Sequence, residues 1–186
     1  MLKIELLDKL HNRKKFDCGN AALNNFLQKT ARQHIIKGMS RTFVLINDNK
    51  PEEILGFYTL SVCEVEAKNL PEPVAKKYPD QVPAVKLARL AVATKHQHRG
   101  FGDYLIGNAL EKVILISENV GIIGLFVDAK DNYTKEYYEQ FGFISLLGDP
   151  LILFIPLKTL LQYPCQILFG QAFSLSSPDY LHKLKR

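Results

Sequence analysis

Apolar positions in this chain change their period along its length, and the changes mark its elements. Leu2 to Leu7 reads as a short strand. From Asn20 to Ile36 the apolar residues Leu23, Phe26, Leu27, Ala31 and Ile35 recur near helical spacing, which predicts an amphipathic helix with Asn20 as a candidate cap. Arg41 to Ile46 and Ile54 to Val65 are rich in β-branched and aromatic residues. Asn47-Asp48-Asn49-Lys50-Pro51 between them is turn chemistry, so the pair predicts an antiparallel hairpin. Pro71 to Pro83 carries four prolines and predicts loops, with a short helical turn at Val74 to Lys77.

The second half reads as strand, helix, strand. Val85 to Val92 is apolar and runs into a glycine-punctuated turn; Gly102 to Asn119 then places Leu105, Ala109, Val113 and Ile116 on one helical face, with Gly121 as a stop. Ile122 to Val127 is almost continuously apolar, the mark of a strand buried on both faces in a parallel arrangement. A short helix at Asn132 to Phe141 stops at Gly142, Phe143 to Leu147 returns as a strand, and Gly148-Asp149-Pro150 turns into a last strand, Leu151 to Leu157. The order β-α-β-β-(loop)-β-α-β-α-β-β predicts the α/β class: a mixed central sheet with flanking helices and a parallel pair beside the glycine turn.

Composition narrows the setting. The chain has 186 residues, 47% apolar and 23% charged, which fits one folded domain with a real core. No apolar run reaches the ~18 residues of a membrane span, and the N-terminus lacks a secretory leader, so a cytoplasmic protein without a membrane partner is expected. Cys18, Cys63 and Cys165 are odd in number and widely separated, which suits neither a disulfide framework nor a zinc site; no metal is expected. The net charge of +5 admits a polyanionic partner without demanding one. Its distribution says more: Arg13, Lys14 and Lys15 form one cluster, Lys76 and Lys77 another, and Lys86, Arg89, Lys95 and Arg99 surround the turn. A solvated basic face explains the same pattern.

The turn itself, Gln97-His98-Arg99-Gly100-Phe101-Gly102, follows a strand and opens a helix, so its backbone N–H groups and the helix dipole suit a diphosphate. It is neither a Walker loop, which would end Gly-Lys-Ser/Thr, nor a three-glycine dinucleotide fingerprint. Gln-x-x-Gly-x-Gly resembles the pyrophosphate motif of the GNAT N-acetyltransferases, whose donor is acetyl-CoA. A second motif, Tyr137-Tyr138-Glu139-Gln140-Phe141-Gly142-Phe143, is similar in order and spacing to the aromatic-Tyr-x-x-x-Gly-Phe helix end of that superfamily.

What the resemblance implies is specific. The GNAT acyl-CoA acyltransferase fold has this order of elements, and Tyr138 corresponds to the general acid that protonates the departing thiolate once a neutral amine has attacked the thioester. With ordinary pKa values of about 10 for a phenol and about 8.5 for a thiol, the chemistry is workable. Tyr133, Tyr137 and Phe141, at i, i+4 and i+8, read as the core stripe of that helix, which leaves Tyr138 one position off it. N–H groups around Leu90, Ala91 and Val92 are the expected donors for the thioester oxygen and the pantetheine arm, and those of His98, Arg99, Gly100, Phe101, Gly102 and Asp103 for the diphosphate. Gln97 either bonds a phosphate or shapes the turn. Asp131 sits where relatives carry Asn or Asp near pantetheine, and is equally placed for a helix N-cap. No general base stands out: His96 and His98 read as surface residues or phosphate contacts.

A narrower resemblance covers residues 1–161. Phe16-Asp17-Cys18-Gly19-Asn20, Leu23-Asn24-Asn25-Phe26-Leu27, Ser40-Arg41-Thr42-Phe43-Val44, Lys86-Leu87-Ala88-Arg89-Leu90-Ala91-Val92 and Leu153-Phe154-Ile155-Pro156-Leu157-Lys158-Thr159-Leu160 look like the acetyltransferase toxins of bacterial type II toxin–antitoxin modules. Those enzymes acetylate the α-amino group of aminoacyl-tRNA and so block translation. Each is neutralised by a small antitoxin with a ribbon-helix-helix part, and a homodimer is the family expectation. Lys86 and Arg89 are the candidates for guiding the tRNA acceptor end. Two departures stand out: Ala93 where many relatives have Asp, and His98 where they have Gly. Residues 162–186 form an extension beyond the resemblance, open to roles in dimerisation, in antitoxin or RNA binding, or to none. The alternatives are a GNAT enzyme acting on a small-molecule amine or a protein N-terminus, and a noncatalytic acetyl-CoA binder.

Overall fold

Alternation along β2 (Arg41–Asn47) decides how the molecule is layered. Val44 and Ile46 point to one face and Leu45 to the other, and all three are buried, so both faces of the sheet must be covered. The computed structural model describes residues 1–162 and shows what covers them. β1 (Leu2–Leu6), β2, β3 (Gly56–Glu66), β4 (Gln81–Val92), β5 (Gly124–Asp128), β6 (Ile144–Ser145) and β7 (Ile152–Pro156) form one mixed sheet in the order β1-β2-β3-β4-β5-β7-β6. β4 and β5 are parallel; the other neighbouring pairs are antiparallel.

On one face, α1 (Ala21–Asn25) passes through a π-helical turn, Phe26–Thr30, into α2 (Ala31–Ile36). Phe26, Leu27 and Ala31 pack there against Val44, Ile46 and Phe57. After the single turn of α3 (Glu72–Ala75), the chain builds the opposite layer from α4 (Phe101–Ser117), α5 (Asn132–Glu139) and α6 (Leu157–Gln162). Leu105, Ile106, Ala109, Leu110 and Val113 of α4 are sealed against Leu45, Tyr58, Leu87 and Leu125 of the sheet. This is the mixed sheet with flanking helices that the pattern predicts.

Differences from the sequence reading have local causes. Asn20 does cap α1, accepting from the Leu23 N–H at 3.1 Å. The helix after it widens by one residue at the π-turn, which brings Phe26, Leu27 and Ala31 to the buried side together and leaves Leu23 and Ile35 half-buried. α4 ends at Ser117 rather than at Asn119, because Ser117 Oγ donates to the Ile114 carbonyl and Asn119 Nδ2 to that of Leu115, satisfying the helix end before Gly121 is reached. β4 begins at Gln81, inside the segment read as loop. Among the described residues no helix is long and apolar enough to cross a membrane, and no group of three or more metal-ligating side chains converges. Residues 163–186, most of the C-terminal extension, lie outside the described part, as does Cys165.

Candidate acetyltransferase site

Parallel pairing between β4 and β5 covers only Val85 to Leu87 against Leu125 to Val127, although β4 runs on to Val92. The strands part where Ala88 bulges: Leu87 pairs with Leu60 and Arg89 with Thr59, leaving Ala88 unopposed. The β5-facing edge of Leu90, Ala91 and Val92 is therefore unpaired by β5 and forms one wall of a cleft of about 670 Å³.

The turn beyond β4 forms the head of that cleft. His98 has φ of 59° and Gly100 of 77°, so two left-handed residues reverse the chain into α4. For glycine that conformation is free, whereas His98 holds it with strain. The first intrahelical bond runs from Tyr104 N–H to the Gly100 carbonyl. The N–H groups of His98, Arg99, Gly100, Phe101, Gly102 and Asp103 meet no acceptor among the described residues. Six such donors beside a helix N-terminus form a cradle for an anion.

Gln97 shapes this turn. Its Nε2 donates to the carbonyls of Val92 and Cys18, each at 3.1 Å, so the side chain is committed to the backbone. Thr94 adds two bonds, from its N–H and its hydroxyl, to the Asp17 carbonyl at 2.9 and 3.0 Å. Together they clamp residues 17 and 18 to the end of β4. That clamp brings Cys18, Asn20, Ala22 and Leu23 onto the cleft wall, a contribution the spacing of the motifs does not reveal.

Tyr138 also lines the cleft, and its surroundings correct the sequence reading of α5 at two positions, Tyr133 and Tyr138. The inward stripe is Thr134, Tyr137, Tyr138 and Phe141, at i, i+3, i+4 and i+7, whereas Tyr133 is 79% exposed. Counting the stripe from Tyr133 rotates the helix by about one residue. Tyr138 is only 6% exposed, its ring packed between those of Tyr137 and Phe143 at 5.7 and 5.6 Å. Its hydroxyl has no protein partner among the described residues and is not sealed off, so it opens into the cleft that the residue lines. Burial pushes its pKa up to about 12. Tyr137, by contrast, spends its hydroxyl on Asp103 Oδ1 at 2.8 Å.

Asp131 proves to be the cap of α5: one carboxylate oxygen accepts from the Thr134 N–H at 2.7 Å and from its hydroxyl at 2.6 Å. Those bonds, the hydroxyl's first, hold its pKa below the ordinary value. Asp131→Ala is expected to lower the thermal midpoint by a few degrees, with Asp131→Asn close to the parent, as a cap requires. A midpoint unmoved by Ala would deny the capping role.

The two basic candidates separate. Lys86 is paired with Asp128 at 2.6 Å and does not line the cleft. Arg89 does line it, with no carboxylate partner among the described residues, its guanidinium 3.8 Å above the centre of the Phe26 ring. Burial lowers its pKa from a very high starting value. The π-turn explains the placement, because Phe26 is anchored by stacking on Phe57 and by edge contact with His34. Nothing in the apolar spacing around Phe26 marks it as a support for a charge on β4. His96 stacks on Phe101 at 5.9 Å and approaches Glu53 at 3.8 Å.

A splayed strand, an anion cradle and a tyrosine hydroxyl thus meet in one cleft. Residues 39–145 match the family model described as Acetyltransferase (GNAT) domain. The chain belongs to the GNAT acetyltransferase family. This acetyltransferase is also similar to individual members of that family. It is 32% identical over 143 residues to the tRNA-acetylating toxin of Mycobacterium tuberculosis (strain ATCC 25618 / H37Rv), covering 77% of this chain and 84% of that one. AtaT complexed with acetyl-methionyl-tRNAfMet superposes with a TM-score of 0.80 at 34% identity, covering 86% of this chain and 97% of the other. A mutant AtaT toxin bound to the C-terminus of the antitoxin AtaR and acetyl-CoA gives 0.73 at 34% identity, with 91% and 99% covered.

Proposed function

We propose that this GNAT acetyltransferase moves an acetyl group from acetyl-CoA to the α-amino group of aminoacyl-tRNA and thereby blocks translation. The observation that carries the reading is the composition of one cleft: the Tyr138 hydroxyl and the Arg89 guanidinium both line it, the one without a hydrogen-bond partner and the other without a carboxylate partner among the described residues. A cation set into the acceptor side suits a substrate that presents its amine on a polyanion. Similarity to the mycobacterial toxin and to AtaT supports the choice of aminoacyl-tRNA over a small-molecule amine or a protein N-terminus.

Each residue then has a task. Acetyl-CoA supplies an activated acyl group and a leaving thiolate. The N–H groups from His98 to Asp103 would hold its diphosphate, Gln97 fixing the turn from behind, and the open edge of Leu90 to Val92 would bond the pantetheine amides and the thioester oxygen. Tyr138 keeps a proton at its hydroxyl for the sulfur. Because burial raises that phenol to about 12, it shares the proton in the transition state rather than standing ionised beforehand. The proton that sulfur gains is matched by the one that the acceptor nitrogen loses. No protein base is assigned: the carboxylates on the cleft wall, Asp103 and Asp128, are held by Tyr137 and Lys86.

Neutralisation by a small antitoxin completes the proposal, supported by similarity to AtaT bound to the C-terminus of its antitoxin; a ribbon-helix-helix part in that antitoxin and a homodimeric toxin follow from the family resemblance alone. Expression is expected to arrest growth, and tRNA recovered from arrested cells should carry N-acetylated aminoacyl ends. Arrest with unmodified aminoacyl-tRNA would refute the substrate.

A further inference from the structure

Tyr137 takes no part in the chemistry above, yet it joins the two motifs. Its hydroxyl donates to Asp103 Oδ1 at 2.8 Å across the gap between α5 and α4, and a Cβ on Gly102 would lie 2.6 Å from that same oxygen. A side chain at position 102 would therefore have to displace the Tyr137 hydroxyl on the neighbouring helix. The ring is half-buried and set edge-on to Phe141 at 5.4 Å, so the hydroxyl has little freedom. Burial and the Asp103 carboxylate both raise its pKa, which keeps it a donor.

Asp103 occupies the first turn of α4, among the unbonded N–H groups that form the anion cradle. A carboxylate in a first turn is favoured by the helix dipole and can fold back onto those donors. There it would occupy the seat of a diphosphate and repel it. No cation pairs with Asp103 among the described residues; the group that holds its carboxylate is the Tyr137 hydroxyl. We propose that Tyr137 is a positioning residue that draws the Asp103 carboxylate away from the anion cradle and so couples acetyl-CoA binding to the helix that carries Tyr138.

This inference rests on the reading that the diphosphate sits on the N–H groups from His98 to Asp103. A test compares the parent, Tyr137→Phe, Asp103→Asn and the double variant by calorimetric titration with acetyl-CoA and with S-acetyl-pantetheine, which lacks the diphosphate. Tyr137→Phe is expected to weaken acetyl-CoA about tenfold, the order of one close charge–charge contact in a partly solvated site, and to leave S-acetyl-pantetheine unchanged. Asp103→Asn and the double variant should bind acetyl-CoA alike, within roughly twofold of each other, since removing the charge removes the need to hold it. Four results would overturn the proposal. They are parent-like acetyl-CoA binding by Tyr137→Phe, weakening of both donors alike, a weakened Asp103→Asn, or a double variant as weak as Tyr137→Phe. If instead the parent binds acetyl-CoA no more tightly than S-acetyl-pantetheine, the diphosphate seat itself is misplaced.

Discussion

Tyr138→Phe is expected to lower acetyl transfer by about 10²–10⁴-fold, the usual contribution of a positioned proton donor. Acetyl-CoA binding should stay within roughly twofold of the parent, because the substitution removes only an oxygen. The ring is what packs: it is wedged between Tyr137 and Phe143 and buried in the same apolar cluster as Phe141, and phenylalanine keeps all of that. The hydroxyl makes no protein hydrogen bond among the described residues, so its loss strands no partner and the fold should be unaffected. A fall in turnover at constant donor affinity is the signature of a group used only in the transition state. Burial raises the phenol to about 12, so any alkaline loss of activity below roughly pH 10 must come from another group. Steady-state rates and calorimetric titration of one preparation suffice; near-parent turnover would remove Tyr138 from its role.

Arg89→Glu tests the acceptor side. The guanidinium lies over Phe26 on the cleft wall without an anionic partner among the described residues, so its charge is available to a substrate phosphate. Reversing that charge replaces an attraction by a repulsion of similar size, and charged-tRNA turnover at subsaturating concentration should fall roughly 10- to 100-fold. The loss should appear in KM for the tRNA, with acetyl-CoA affinity little changed. The slope of log KM against log salt should flatten by about one unit for the lost contact. Arg89→Gln, which keeps stacking area on Phe26 without charge, should fall between. Lys86→Gln should do less than either, since Lys86 does not line the cleft and its charge is already paired with Asp128. Equal turnover by Arg89→Glu and the parent would exclude Arg89 from acceptor binding.

The strand, turn and helix from Val85 to Asn119 were legible in the sequence because their signals are local: an apolar run, a glycine at the left-handed position 100, and a periodic face behind it. The same holds for the Asn20 cap and for the short helix ending near Gly142. What failed was fine helical phase. Tyr133 and Tyr138 are both aromatic and five positions apart, and over eight residues of α5 a rotation of one position exchanges the exposed residue for the buried one. Tertiary partners were invisible for a different reason. Asp128 neutralises Lys86 from the next strand, Phe26 reaches Arg89 only through a π-turn, and Tyr137 bonds Asp103 across two helices. None of these pairings has a spacing that a single sequence displays. The role of Gln97 was decided only by the carbonyls of Cys18 and Val92, 79 and 5 positions away, converging on its amide.

Incubation of the protein with radiolabelled acetyl-CoA and a mixture of aminoacyl-tRNA, uncharged tRNA, the corresponding amino acid methyl ester and an N-terminal peptide tests the central claim most directly. Label should appear on the α-nitrogen of the aminoacyl-tRNA, with the ester and peptide acetylated far more slowly and uncharged tRNA not at all. Preferential labelling of the free ester or of the peptide would contradict it.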